Sequence, residues 1–62
     1  MSIEEMNRAL KDFDESLYAR EEGELFLVYK NGLPIDEFVG SVFADDVADY
    51  GVESTLREFG IY

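Results

Sequence analysis

Apolar residues recur at Ile3, Met6, Leu10, Phe13 and Leu17 in alternating steps of three and four, which draws one stripe down a helix. Ser2 followed by Glu5 fits a capping box, so this helix should begin at about Ile3. It is expected to stop around Arg20, because Glu21-Glu22-Gly23-Glu24 offers a glycine suited to a left-handed C-terminal cap. On its polar face Glu4 can reach Arg8, Arg8 can reach Asp12, and Lys11 can reach Glu15, all at i,i+4 spacing.

The period then changes. Leu25 to Tyr29 is the densest apolar run and suits a pleated surface, and Asn31-Gly32 tolerates the positive φ angles of a tight type I′ turn. This predicts a hairpin of Leu25–Lys30 with about Pro34–Val39, Pro34 standing near the strand start where its missing N–H does least harm. A rival pattern makes Pro34 the first residue of a helix with Ile35, Phe38, Val39, Val42 and Phe43 as its stripe. Against it, Leu33 is a poor N-cap, and a lone strand at 25–30 would have no partner.

Ser41 can cap a second helix over about Val42 to Tyr50, with Phe43, Val47 and Tyr50 on one face and Asp45, Asp46 and Asp49 on the other. Gly51 breaks it, and Val52, Leu56 and Phe59 mark a third short helix ending at Gly60. The terminal pair Ile61-Tyr62 either docks into the core or serves as a contact for another protein. The order α-β-β-α-α predicts a small single α+β domain spanning residues 1–62, with helices packed on a two-stranded antiparallel hairpin.

Composition narrows the chemistry. The 62 residues contain no cysteine and no histidine, which removes disulfides, Cys/His zinc sites, thiol catalysis and imidazole-based triads. Five Phe and four Tyr supply a core for so short a chain. Fifteen acidic side chains face five basic ones, for a formal net charge of -10. A magnitude of about 2 to 8 already secures solubility for a small domain, and further like charge destabilises the compact state. Such a surface repels nucleic acid and anionic membrane and attracts basic protein surfaces. No apolar run reaches membrane-spanning length and the N-terminus lacks a basic leader, so a cytoplasmic protein is expected.

No catalytic motif occurs, and an enzyme is not expected. Adjacent acids such as Asp45-Asp46 or Glu21-Glu22 are solvated pairs unless an apolar pocket raises one pKa. Asp12-Phe13-Asp14-Glu15-Ser16 opens like a calcium loop, but Leu17 stands where glycine is needed and Gly23 where a bidentate glutamate is needed. The serines have no histidine to activate them, no glycine loop cradles phosphate, and no basic patch is present for direct nucleic-acid binding. No cofactor or metal site is expected.

The remaining signal is the arrangement of negative charge: Glu21, Glu22 and Glu24 in one loop, Asp36 and Glu37 on the hairpin, and Asp45, Asp46 and Asp49 on one helix face. Carboxylates on a small rigid fold can occupy the Lys and Arg sites that otherwise hold DNA phosphates. In size, charge and the acid runs EEGE, DE and DDVAD, the chain resembles the small acidic inhibitors encoded by phages and mobile elements, including anti-CRISPR and anti-restriction DNA mimics. The resemblance implies a non-enzymatic inhibitor of a basic, nucleic-acid-binding host protein or complex, a type I CRISPR surveillance complex being the first choice. A different expectation is a structural or regulatory interaction module, perhaps a homodimer, that binds through an apolar face such as an open hairpin edge or Ile61-Tyr62. A third, a metal-dependent hydrolase or metal buffer, predicts stabilisation by calcium or magnesium beyond charge screening.

Overall fold

In the computed structural model, which describes residues 1–61, Ser2 opens the first helix as its sequence predicts. The Glu5 N–H donates to Ser2 Oγ at 3.2 Å and the Ser2 N–H donates to Glu5 Oε1 at 3.0 Å, a reciprocal capping box at the head of α1 (Ile3–Phe13). These hydrogen bonds hold the Glu5 carboxyl below its ordinary pKa. The helix ends seven residues before Arg20. Asp14 leaves the helical region, and its Oδ1 accepts both the Ser16 N–H at 3.0 Å and the Ser16 hydroxyl at 2.7 Å. A side-chain turn of this kind competes with helical hydrogen bonding, and it releases Leu17 into a strand. Asp14 and Ser16, two letters of the calcium-like run, are thus engaged in a structural turn.

Leu17 to Arg20, expected as the last turn of the helix, and Glu21 and Glu22, expected in a loop, together form β1 (Leu17–Glu22), which pairs antiparallel with β2 (Leu25–Lys30). Gly23, with φ +58°, is the first residue of their two-residue turn, the position at which a type II′ turn needs glycine. It closes a hairpin instead of capping a helix.

The expected hairpin of Leu25–Lys30 with the following strand also forms, but later than Asn31-Gly32 suggested. The Asn31 N–H donates to the Ser16 carbonyl at 2.8 Å, which carries the β1–β2 ladder one pair further and prevents a turn at that point. The chain crosses over through a cis Leu33–Pro34 bond and enters β3 (Glu37–Phe43). Pro34 begins neither the expected strand nor a helix. The sheet is therefore three-stranded, antiparallel, in the order β1-β2-β3, within the expected α+β class.

Ser41 lies inside β3 and caps nothing. Helix α2 (Ala44–Tyr50) starts after Phe43, which makes no side-chain cap hydrogen bond, and α3 (Val52–Glu58) follows the break at Gly51. Of the expected apolar face only Val47 is buried; Tyr50 is 70% exposed and Phe43 belongs to the sheet.

The helices share one face of the sheet. Met6 and Leu10 from α1, Val47 from α2 and Leu56 from α3 meet Leu17, Ala19, Phe26, Val28 and Val42 in one core. Thr55, the buried polar residue, has its hydroxyl 2.7 Å from the Gly51 carbonyl and 3.2 Å from that of Asp46. Ile61 docks: its N–H donates to the Leu56 carbonyl at 2.9 Å and its side chain packs over Gly40. Tyr62 lies outside the described residues. The ion pair found among the described residues is Arg57–Glu53 at 3.6 Å, so the salt bridges expected along α1 do not form. Among those residues no helix is long and apolar enough to cross a membrane.

Candidate functional site

Strand register settles where the acidic residues go. Glu22 pairs with Leu25, which pairs with Phe43, and the Ala44 N–H donates to the Glu24 carbonyl at 2.9 Å. Glu21, Glu22 and Glu24 therefore share one end of the sheet with the first turn of α2, where Asp45 and Asp46 stand, and Asp49 follows one turn along that helix. Asp36 and Glu37 sit at the opposite end, since Glu37 pairs with Lys30. The length of β2, about 17 Å of strand, separates the two groups. The eight carboxylates thus form two groups rather than one surface.

Their surroundings differ too. Asp36 Oδ2 accepts the Tyr18 hydroxyl at 2.5 Å and Asp36 Oδ1 accepts the Gly32 N–H at 3.0 Å, so this carboxylate closes the β2–β3 loop onto β1. The Tyr18 hydrogen bond, and then that of Gly32, hold the Asp36 carboxyl below its ordinary range, while the same carboxylate raises the Tyr18 phenol. Asp46 lines a groove of about 430 Å³ between α2 and α3, with Tyr50, Glu58 and Phe59. Among the described residues no three carboxylates converge in a way that could hold a metal ion.

A different surface emerges from the same register. Along β1 and β2 the residues that alternate with the buried ones are Tyr18, Arg20 and Glu22, paired with Tyr29, Leu27 and Leu25. On β3 their neighbours are Phe38, Ser41 and Phe43. These nine positions form the face of the sheet opposite the core, and none of their side chains packs against the core cluster.

A β-bulge completes this face. Val28 pairs with Gly40 while Tyr29 pairs with Phe38, leaving Val39 as the extra residue. Without it the period of two would carry Phe38 to the inner face; with it Val39 packs toward the core and Phe38 joins the outer face. Tyr18, Tyr29 and Phe38 then form a row across the three strands. The two tyrosine rings stack with centroids 5.5 Å apart, and Phe38 meets Tyr29 edge-on at 5.4 Å. The Arg20 guanidinium lies 5.4 Å from the Tyr29 ring centre.

The face is open. Phe38 is 55% exposed and Phe43 52%, and in the adjoining loop Leu33 and Ile35 are 98% and 79% exposed. Two expectations from the sequence hide it: helix over Leu17 to Arg20, and Phe43 on the apolar face of the second helix with Val47 and Tyr50. The alternation of Leu17 and Ala19 with Tyr18 and Arg20 is the signal that could have found it. Compared with known protein families, curated proteins and solved structures, the chain matches none.

Proposed function

We propose that the chain is a non-catalytic binding module that docks a basic protein through the uncovered face of its sheet. The observation that carries this reading is the row Tyr18–Tyr29–Phe38 with Leu25, Leu27 and Phe43 beside it, on the face of the sheet away from the helices. Contiguous exposed apolar patches with a polar rim mark interaction sites, and aromatic residues carry much of the energy of such interfaces. The carboxylates at both ends of the sheet supply that rim and would steer a basic partner into register.

A second reading keeps to charge: a DNA-mimicking inhibitor of the anti-CRISPR type, directed at a nucleic-acid-binding host complex such as a CRISPR surveillance complex. It is favoured by the grouping of Glu21, Glu22 and Glu24 with Asp45, Asp46 and Asp49 at one end of the fold.

Capture of partners from cell lysate by tagged protein, with elution in rising salt and competition by DNA, tests both. Apolar docking predicts a partner that resists salt, ignores DNA and is lost by the Phe38→Ser/Phe43→Ser double variant. Mimicry predicts a partner that leaves as salt rises and is displaced by DNA. Capture of the same partner by wild type and double variant alike would overturn the docking reading.

A further inference from the structure

The sheet has two edges, and the fold treats them differently. On β1, Asn7 of α1 donates through Nδ2 to the Ala19 carbonyl at 3.1 Å and accepts the Ala19 N–H on Oδ1 at 2.7 Å. The Leu17 N–H is taken by the Asp14 carbonyl at 3.0 Å. That edge is occupied by its own chain.

On β3 the phase of the ladder is given by the Ala44 N–H, which bonds to the Glu24 carbonyl across the sheet. Antiparallel alternation then turns the N–H and C=O groups of Val42 and Gly40 toward β2, and those of Ser41 together with the Phe43 N–H away from the sheet. Among the described residues no loop or side chain bonds to the Ser41 N–H and C=O or to the Phe43 N–H, while the Phe43 carbonyl, at the N-cap of α2, accepts the first hydrogen bond of that helix. A free edge is a template for another strand unless it is blunted by Lys, Pro, a bulge or cover; β3 contains neither Lys nor Pro, and its bulge at Val39 leaves the Gly40–Phe43 stretch regularly paired with β2.

Charge selects what could pair there. Glu37 stands at the start of β3 and Asp45 just past its end, both exposed, with Phe38, Val39, Val42 and Phe43 between them and no basic residue in the strand. Two copies joined at this edge would bring these acidic ends together on chains that each carry -10. An extended segment with apolar residues in its middle and Lys or Arg at both ends meets the same edge with opposite charge.

We infer that β3 takes such a basic-ended, extended peptide segment of a partner protein as a fourth strand. This rests on the docking reading above and deepens it, naming the part of the partner that binds. Main-chain hydrogen bonds to the Ser41 N–H and C=O and to the Phe43 N–H supply the pairing, and side chains of the added strand that lie on the outer face cover Phe38 and Phe43.

The test is amide hydrogen exchange by NMR on the full chain, with a synthetic peptide of alternating Val and Thr carrying Lys at each end. Saturating peptide is expected to slow exchange at Ser41 and Phe43 by about tenfold or more, with β1 unaffected. The same peptide with Glu at each end should leave exchange unchanged. Absence of slowing, or equal slowing by both peptides, overturns the inference. So does slowing that grows with protein concentration in the absence of peptide, which would identify a second copy as the occupant.

Ser41→Pro removes an outward N–H and spares the ladder to β2, so it should remove the peptide effect while circular dichroism stays unchanged. If partner capture survives Ser41→Pro but not Phe38→Ser/Phe43→Ser, the edge inference falls and the docking face stands. If capture survives both, the docking reading falls with it.

Discussion

Asn7 stands beside Ala19 as a neighbouring strand would, meeting its C=O at 3.1 Å and its N–H at 2.7 Å through one amide. The pair is part-buried, so removing the amide strands backbone groups where water reaches them poorly. Asn7→Ala is expected to cost about 1–3 kcal/mol, a large share of the stability of so small a domain. Urea denaturation measures the loss. Size-exclusion chromatography should also show a new tendency to associate, because the second edge is then free.

Phe43 occupies the N-cap of α2 without a cap hydrogen bond while 52% of it is exposed on the outer face. Local energetics ask for Ser, Thr, Asp or Asn at that position, where a capping side chain is worth about 1 kcal/mol. Phe43→Ser alone should therefore leave the unfolding free energy unchanged or raise it by up to about 1 kcal/mol, while weakening partner binding. A residue kept only for packing would show the opposite, a loss of stability with binding intact. Thermal denaturation alongside a binding titration separates the two.

The Tyr18–Asp36 hydrogen bond sets a pH window. Asp36 is depressed by its Tyr18 and Gly32 bonds, so its contribution is present above the ordinary carboxylate pKa and lost as pH falls through the lower folded value. Tyr18 is raised by Asp36, so its contribution is present below 10.0 and lost as pH rises through the higher folded value. Tyr18→Phe should be less stable than wild type near neutrality and converge with it in strong acid. NMR titration of the Asp36 carboxyl carbon in Tyr18→Phe should show its pKa moving up toward the ordinary value.

Gly40 makes room for the end of the chain. A Cβ there would stand 2.8 Å from Ile61 Cγ1 and 2.9 Å from Ile61 Cδ1. Gly40→Ala should cost about 1–3 kcal/mol by displacing Ile61 from the core, and Ile61→Ala should remove most of that clash. The double variant is expected to lose less than the two single variants together, as read by urea denaturation.

The start of α1 was legible because a capping box and an apolar stripe are local signals carried by Ser2, Glu5, Ile3, Met6 and Leu10. Its end was not. Leu17 falls in phase with that stripe and also starts an alternating strand, and the outcome rests on the Asp14 turn and on pairing with residues up to Lys30. Gly23 suits a helix cap and a hairpin turn equally, so it could not decide between them. The breaks at Gly51 and Gly60 were readable, as was the α+β class. The charge of the eight carboxylates was visible in the sequence, but their division between the two ends of the sheet depends on register. The outer face was hidden for the same reason: it exists only once β1 is a strand and the bulge at Val39 has turned Phe38 outward.

The most direct test of the account is to measure, for the captured partner, the Kd of wild type, Phe38→Ser/Phe43→Ser and Asp45→Lys/Asp49→Lys by isothermal titration calorimetry. All four substituted positions are exposed, so folding should survive in both variants. Docking through the sheet face predicts a loss of about 100-fold for the phenylalanine pair and at most about tenfold for the aspartate pair. The reverse order would contradict the account and move the binding surface to the acidic end of the fold.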